Sequence, residues 1–183
     1  MPTLTVIAGP NGSGKSTLTR LVDFEGRGRL LDPDTIARRL NPLDPYAAAI
    51  AAGREVLKRT ADYLARGLSF AVETTLSSRG RVELIPKARF RGFETHLVFL
   101  GVDSPERCIT RIRNRAVQGG HNIPDADVRR RYVRSMANAP QALRSVNIAN
   151  YYDSSGEIPR LILAAASGVV VWQADPIPEW VKF

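Results

Sequence analysis

The chain has 183 residues, of which 44% are apolar and 24% charged, a composition that excludes a disordered protein and fits one globular domain with a single core. No apolar run approaches the roughly 20 residues of a membrane span and the N-terminus lacks the basic start of a signal peptide, so we expect no membrane association. The net charge of +8 favours a phosphate-bearing partner, although a basic surface that only aids solubility is the alternative. The single cysteine, Cys108, is typical of a protein of the reducing cytoplasm.

Strands and helices alternate in the predicted order of elements. Strands are expected at 4–8, 28–32, 68–72, 96–102 and 146–152, followed by a hairpin of 160–164 and 169–172. Helices are expected from about residue 15 and over 33–40, 45–66, 79–91, 103–117 and 125–138, with Pro86 as an interruption. This alternation predicts one three-layer α/β domain over residues 1–183, with a mostly parallel sheet.

Apolar residues at helical spacing support two of these helices. In the first they are Leu18, Leu21 and Val22, and in the helix over 45–66 they are Ile50, Val56, Leu57 and Leu64.

Residues 9–16 spell G-x-x-x-x-G-K-[ST], the Walker A pattern, between a predicted strand and a predicted helix. Gly12 and Gly14 lack the Cβ that would keep backbone N–H groups from converging on a phosphate, and the helix N-terminus adds positive charge. Lys15 is expected to reach the β- and γ-phosphates, and the Ser16 hydroxyl to ligate Mg²⁺. The pattern predicts a nucleoside triphosphate site formed by Gly9, Asn11, Gly12, Ser13, Gly14, Lys15, Ser16 and Thr17.

Acidic and hydroxyl side chains follow the next predicted strands, at the sheet edge where open parallel sheets bind ligands. Asp32 and Asp34 follow the second strand, and Glu73, Thr74 and Thr75 follow the third. A kinase needs a carboxylate near the acceptor hydroxyl, and Asp34 suits this role. The alternative role of Asp34 is to cap the following helix, and Asp32 is the second choice for the catalytic carboxylate. Glu73 is expected to bind substrate or a Mg²⁺-bound water, and Thr74 and Thr75 are further candidates on the substrate side.

Arginines cluster on two predicted helices that flank a flexible loop, QGGHNIP, at 118–124. They are Arg111, Arg113 and Arg115 on the first helix, and Arg129, Arg130, Arg131 and Arg134 on the second. Phosphoryl transfer needs mobile positive charge over the γ-phosphate, so the segment 111–134 is predicted to be a lid, a solvated basic face being the alternative. His121 in the loop is a candidate substrate contact, and Asp103 or Ser104 is expected to cap the first helix.

Six segments together resemble the zeta-toxin-like branch of the P-loop kinases. They are GPNGSGKST, DPDTIA, VETTLSS, HLVFLGVDSPE, RNRAVQGGHNIP with RRRY after it, and YYDSSG, in this order from residue 9 to about 156. The resemblance implies a P-loop NTPase fold of nucleoside-kinase type, with a five-stranded parallel sheet. The predicted C-terminal hairpin would add to this sheet.

The resemblance also implies roles for individual residues. Asp34 matches the catalytic Asp of the family, Lys15 and Ser16 would hold ATP with Mg²⁺, and Glu73 would lie on the acceptor side. Arg115 and Arg131 are the nearest matches to the lid arginines that neutralise the γ-phosphate. Zeta toxins phosphorylate a sugar hydroxyl of UDP-N-acetylglucosamine, so a UDP-amino sugar is a candidate acceptor and an antitoxin protein a candidate partner.

We therefore expect an ATP-dependent kinase that transfers the γ-phosphate to a hydroxyl of a small molecule. A kinase for nucleic-acid 5′-hydroxyl ends is one alternative, suggested by the charge but disfavoured because no aromatic residues alternate with the basic ones as a stacking platform. A non-catalytic nucleotide switch that engages a protein partner is another. The base-recognition motif N-K-x-D of GTPases is absent from the sequence.

Overall fold

The structure, a computed structural model, describes residues 1–117 and 123–181. Its strands are β1 (Thr3–Ala8), β2 (Leu30–Leu31), β3 (Phe70–Thr74), β4 (Glu94–Gly101), β5 (Ile148–Asp153), β6 (Arg160–Ala166) and β7 (Val169–Gln173). Its helices are α1 (Lys15–Leu21), α2 (Pro33–Leu40), α3 (Ala49–Arg66), α4 (Arg79–Phe90), α5 (Pro105–Val117) and α6 (Asp125–Ser145), with a 3-10 helix at Arg27–Arg29. None of these helices is both long and apolar enough to cross a bilayer.

The seven strands form one sheet in the order β2-β3-β1-β4-β5-β6-β7. Strands β1 to β5 are parallel, and β6 and β7 continue the sheet as an antiparallel hairpin. Every residue of β1 and β3 is buried, which requires cover on both faces of the sheet. The predicted α/β fold, with its parallel sheet and C-terminal hairpin, is confirmed.

Helix α6 is fastened to the sheet through aromatic side chains. The ring of Tyr151 on β5 lies 4.9 Å from that of Phe99 on β4, and the buried Tyr151 hydroxyl donates a hydrogen bond of 2.5 Å to the Ala139 carbonyl of α6. Burial raises the pKa of Tyr151, so the phenol stays a donor at all ordinary pH values. This contact fixes the C-terminal half of α6 against the middle of the sheet.

Two helices continue through an internal proline. We predicted an interruption at Pro86 and a helix end near 138, but α4 runs unbroken to Phe90, and α6 contains Pro140 and ends at Ser145. A proline inside a helix removes one backbone hydrogen bond, a cost that packing against the core offsets at both sites. Residues Val82, Ile85, Ala88, Ala139 and Leu143 of these helices are all buried.

The apolar residues at helical spacing in α3 do not all face the core. The buried positions are Ala52, Val56, Thr60 and Leu64, whereas Ile50 and Leu57 are exposed. The second strand is also shorter than predicted, because the chain from Arg27 to Arg29 forms a 3-10 turn instead of extending β2.

Strand β7 forms one end of the sheet and presents an uncharged edge. Val169 and Val171 are 66% and 64% exposed, and Trp172 is 48% exposed. Its sequence, VVVWQ, lacks the charges that usually protect a sheet edge.

We predict that Tyr151→Phe lowers the free energy of unfolding by about 1–2 kcal/mol, because the buried Ala139 carbonyl loses a donor. The matched control is Tyr152→Phe at the next position of β5, a half-buried tyrosine whose hydroxyl has no hydrogen-bond partner among the residues described. Urea unfolding of both variants measures the difference. Equal stabilities would show that the Tyr151 hydroxyl does not fasten α6.

Candidate active site

The loop between β1 and α1 wraps tightly around its own lysine. Lys15 Nζ donates hydrogen bonds to the carbonyls of Gly9 at 2.8 Å and Pro10 at 2.9 Å. A Cβ on Gly12 would lie 2.7 Å from the Cys108 carbonyl oxygen, so only glycine lets α5 pack this closely on the loop. The loop is therefore preformed as a backbone cradle, with the N-terminus of α1 behind it.

Two opposite charges are buried at this cradle. Lys15 is 7% exposed and Glu73, at the end of β3, is 6% exposed. Burial lowers the pKa of Lys15, an effect that the charge of Glu73 opposes. Burial likewise raises the pKa of Glu73, and here Lys15 is the main opposing influence. The two groups thus lower the cost of each other's ionisation in a site shielded from water.

Glu73 has one carboxylate oxygen in use and one free. The Ser16 hydroxyl donates a hydrogen bond of 2.9 Å to Oε1. Oε2 is buried and has no hydrogen-bond partner in the described part of the chain. A buried acceptor without a partner is costly, so this oxygen is suited to a ligand that brings positive charge or a donor.

A small cavity of about 90 Å³ joins most of the predicted catalytic side chains. It is lined by Asn11, Gly12, Gly14, Lys15, Ser16, Thr17, Arg20, Asp34, Glu73 and Arg115. Residues from the loop, α2, β3 and α5 thus meet at the carboxyl edge of the parallel strands, where ligands bind in such sheets. Two carboxylates, those of Asp34 and Glu73, thus lie beside the cradle in one cavity.

Asp34 also lines a second cavity, of about 60 Å³, which opens on the other side of α2. Its walls include Ala37, Tyr46, Ile123 and Arg131. Asp34 is exposed, whereas Asp32 is the residue that caps α2. The Asp32 carboxylate accepts hydrogen bonds from the Asp34 N–H at 2.9 Å and the Thr35 hydroxyl at 2.5 Å. Capping is thus performed by Asp32, which leaves the Asp34 carboxylate directed at the two cavities.

A cavity of about 760 Å³ lies on the other side of the cradle, between α1, α5 and the loop after β5. Leu18, Leu21 and Val22 line it, so the apolar stripe of α1 faces this cavity. Arg111 closes its far wall by donating to the carbonyls of Ser154, Ser155 and Gly156 at 2.6 to 3.2 Å. Its size and apolar wall suit the base and ribose of a nucleotide whose phosphates reach the cradle.

The arginines of α5 and α6 divide into two groups. Five of the nine are engaged in ion pairs, namely Arg107 with Asp103, Arg113 with Asp125, Arg129 with Glu106, and both Arg130 and Arg131 with Asp127. Arg115 lines both the 760 Å³ cavity and the small cavity, and Arg131 lines the cavity beside Asp34. Both arginines predicted for the lid thus line a cavity, although Arg131 also lies 4.0 Å from the Asp127 carboxylate.

The other predicted positions have different surroundings. The Thr74 hydroxyl accepts a hydrogen bond from the Leu76 N–H at 3.0 Å, and the Thr75 hydroxyl lies 2.8 Å from that of Ser77, so both support the turn after β3. The Ser104 hydroxyl accepts from the Arg107 N–H at 3.3 Å, as expected of a cap. His121, in the predicted hinge, lies outside the described residues.

Sequence reasoning missed a basic cavity of about 320 Å³ between α1, α2 and α3. Its charged residues are one acid, Asp32, and five arginines: Arg20, Arg27, Arg38, Arg39 and Arg59. It shares Ser16 and Arg20 with the small cavity, so it opens beside the phosphate site. The arginines come from four separate segments, which no local pattern in the sequence connects.

The residues present fit a divalent ion bound together with nucleotide phosphates. Over residues 1–117 and 123–181, no cluster of three or more His, Cys, Asp or Glu side chains is placed to hold a metal ion alone. The Ser16 hydroxyl and the free Oε2 of Glu73 are hard oxygen ligands of the kind that Mg²⁺ prefers, and phosphates and water would complete the octahedron.

The family model described as an AAA domain, AAA_33, matches residues 4–142, so the chain belongs to this family. An uncharacterised protein of Haemophilus influenzae is 36% identical over 124 residues, which cover 68% of this chain and 88% of that protein. Family and fold together define a P-loop kinase-like domain, which implies nucleotide binding.

Three solved structures share the fold at low sequence identity. A complex of AvrRxo1-ORF1 and AvrRxo1-ORF2 with ATP matches with a TM-score of 0.68 and 14% identity, over 93% of this chain and 60% of that chain. The PezAT chromosomal toxin–antitoxin system of Streptococcus pneumoniae matches with 0.62 and 14%, over 92% and 75%. The Pnkp1/Rnl/Hen1 RNA repair complex matches with 0.54 and 19%, over 75% and 45%. The chain thus spans less than two thirds of the first and last of these.

We predict that Glu73→Gln raises the melting temperature at pH 7 to 8. The folded protein raises the pKa of Glu73 above its ordinary value near 4.5, so ionised Glu73 destabilises the fold at neutral pH. Each 1 kcal/mol added to the free energy of unfolding raises the melting temperature by about 2–4 °C for a chain of this size.

The difference should shrink as the pH falls through the raised pKa of Glu73 in the folded state, and it should vanish well below pH 4.5, where the carboxyl is protonated in the folded and unfolded states alike. Scanning calorimetry at several pH values measures it, with Glu25→Gln at an exposed position as control. A lower melting temperature for Glu73→Gln at pH 8 would contradict the role of burial in raising this pKa.

Proposed function

We propose that the protein is an ATP-dependent kinase that transfers the γ-phosphate to a hydroxyl group of a small molecule. The observation that carries the proposal is the cavity in which Lys15, Ser16, Asp34, Glu73 and Arg115 meet. A nucleotide switch would need the phosphate cradle alone. A second carboxylate, Asp34, that lines both the phosphate cavity and a further cavity is what a transfer reaction requires.

In the proposed reaction Asp34 is the base that orients the acceptor hydroxyl. Its carboxylate accepts the hydroxyl proton as the oxygen attacks the γ-phosphorus, and the bond from that phosphorus to the bridging oxygen of ADP breaks. Lys15 leaves the carbonyls of Gly9 and Pro10 for the β- and γ-phosphates, and Arg115 and Arg131 approach the transferred group from either side. His121 remains a candidate on the acceptor side.

Ser16 and Glu73 are the proposed contacts for Mg²⁺, which supplies charge neutralisation between the β- and γ-phosphates when bound. Glu73 is well suited because its carboxylate is buried, fixed by Ser16 and free at Oε2. Its burial also excludes water from the phosphate site. That exclusion favours transfer to the acceptor over hydrolysis.

The basic cavity between α1, α2 and α3 supports an acceptor that itself carries phosphate. Of its five arginines, Arg27, Arg38 and Arg59 lie within 4.0 Å of a carboxylate, whereas Arg20 and Arg39 have no ion-pair partner in the structure as described. These two arginines are available to an anion. A nucleotide-sugar such as a UDP-amino sugar, the acceptor suggested by the resemblance to zeta toxins, has this chemistry. A sugar phosphate has it as well.

The same cavity is the observation that favours the second candidate, a kinase for 5′-hydroxyl ends of nucleic acid. One fold relative comes from an RNA repair complex. The lining of the cavity includes no aromatic side chain on which a base could stack, so we place this candidate second. Labelling of 5′-hydroxyl oligonucleotides with radioactive ATP distinguishes the two.

A protein partner is also proposed, because one fold relative was solved as a complex of two proteins and another belongs to a toxin–antitoxin system. The PezAT description names a toxin and an antitoxin, and an antitoxin-like protein is accordingly the partner we propose. Co-purification from the source organism would identify it.

We predict that Asp34→Asn lowers kcat by about 10²- to 10⁴-fold, the usual contribution of a general base, and changes ATP affinity less than about threefold. ADP release over a panel of UDP-sugars, nucleosides and sugar phosphates measures turnover, and calorimetry measures ATP binding. The control is Asp62→Asn, an exposed acid of α3 that pairs only with Arg66. Equal turnover of the two variants would remove Asp34 from the mechanism.

We also predict that Arg39→Glu raises KM for phosphate-bearing acceptors by at least about tenfold, with a larger effect at low salt, because it reverses a charge in the basic cavity. Neutral acceptors should be affected less than about twofold. Arg54→Glu, an exposed arginine of α3 outside this cavity, provides the same charge change as a control. Equal effects of Arg39→Glu on charged and neutral acceptors would argue against a phosphate-binding role.

A further inference from the structure

The turn after β3 holds a leucine in an unfavourable backbone conformation. Leu76 has φ of 56° and is fully buried. The other non-glycine residue with positive φ in the part of the chain described is Ser167, at the exposed β6–β7 turn, where such angles are common. A left-handed conformation costs a residue with a Cβ about 1–2 kcal/mol, so the surroundings of Leu76 must impose it.

Two side chains satisfy both backbone groups of Leu76. The Thr74 hydroxyl accepts from its N–H at 3.0 Å, and Asn138 Nδ2 donates to its carbonyl oxygen at 2.8 Å. The Leu76 side chain is part of the main core cluster. The turn is therefore fixed at three points, of which Asn138 is the one supplied by a distant element, helix α6.

This turn continues directly from Glu73. The Glu73 carboxylate is held at Oε1 by Ser16 and has a free, buried Oε2. A carboxylate that must present one oxygen to a ligand depends on a rigid backbone, because a shift of 1 Å is enough to spoil such a contact. The strained turn supplies that rigidity.

Helix α6 connects this turn to the opposite wall of the site. Arg131, which faces Asp34 across the second cavity, lies about two helical turns before Asn138 on α6. The same helix is fastened to β5 through Tyr151. One rigid element thus sets the positions of Arg131 and of the segment that carries Glu73.

We propose that Asn138 is a positioning residue: by holding the Leu76 carbonyl it fixes the strained turn after Glu73, and thereby the direction of the Glu73 carboxylate towards the metal–phosphate site. The inference rests on the proposed function only in assigning Glu73 to the metal side. It assigns to Asn138 a role that neither sequence pattern nor cavity lining indicates, since Asn138 touches no cavity described here.

The test is the affinity of the protein for Mn²⁺, a paramagnetic probe for the metal, in the presence of a saturating non-hydrolysable ATP analogue. Asn138→Asp keeps the shape of the side chain but turns its donor into an acceptor that faces the Leu76 carbonyl. Residues that orient a metal ligand typically contribute 10- to 100-fold in metal affinity or activity, so we expect Mn²⁺ to bind at least tenfold more weakly by electron paramagnetic resonance titration. Asn138→Ala, which only deletes the donor, should show the same loss and replaces the first variant if it fails to fold.

Two controls separate positioning from general stability. Gln141→Glu makes the same amide-to-acid change at an exposed position of α6, and Ile162→Val lowers stability at a buried position of β6, away from α6 and the turn. Both should bind Mn²⁺ within about twofold of the unmodified protein. Unchanged Mn²⁺ affinity in both Asn138 variants, or an equal loss in Ile162→Val, would overturn the inference.

The experiment does not depend on finding the acceptor. If the unmodified protein binds nucleotide and Mn²⁺ but transfers no phosphate, the kinase proposal fails while the role of Asn138 is still measured. If transfer is observed and the Asn138 variants bind Mn²⁺ normally, the kinase proposal stands and the positioning role fails.

Discussion

The burial of Lys15 and Glu73 beside the same loop is the constraint on which the rest of the site depends. Each charge is costly to desolvate alone, and each lowers that cost for the other. Both charged groups also need hydrogen-bond partners. The loop carbonyls accept from Lys15 and the Ser16 hydroxyl donates to Glu73, but these bonds satisfy the two groups only in part. The folded protein therefore stores electrostatic free energy that a negatively charged ligand with its cation can release.

The surroundings of this pair are arranged by the topology of the sheet. Parallel strands β1, β3 and β4 end at one edge, and the chain leaves each of them towards a different wall of the site. The 760 Å³ cavity, suited to the base and ribose of a nucleotide, lies beside α1 and α5, while the cavities near Asp34 lie beside α2 and α3. Asp34 lies between the phosphate cavity and the cavities beside α2 and α3. A phosphoryl group transferred from a nucleotide to an acceptor would have to pass this position.

Much of this could be predicted from the sequence because it is encoded locally. The Walker A pattern between a strand and a helix placed Lys15 and Ser16, and the alternation of elements gave the parallel sheet and its hairpin. The capping role of Asp32, and with it the free carboxylate of Asp34, depends on one hydrogen bond that residue type alone could not assign. The roles of the individual site residues stay predictions.

The features that sequence reasoning missed are brought together only by tertiary contacts. The arginines of the basic cavity come from α1, α2, α3 and the 3-10 turn, and Asn138 meets Leu76 across 62 positions of sequence. Leu21 and Ile50 keep helical spacing yet are exposed, because a helix that lines a cavity or a surface groove can carry apolar residues outside the core. The interruption expected at Pro86 is absent because packing outweighs one lost hydrogen bond.

The uncharged edge of β7 has a consequence for how the protein behaves in concentrated solution. Two such edges could join as neighbouring strands, and within β7 itself there is no charge to prevent it. What keeps copies apart is then the net charge of +8 of the whole molecule, acting at a distance. That repulsion is screened beyond about 10 Å at 0.1 M salt, so added salt should promote self-association of this protein, whereas for many proteins moderate salt aids solubility. Buffers of low ionic strength thus suit its handling.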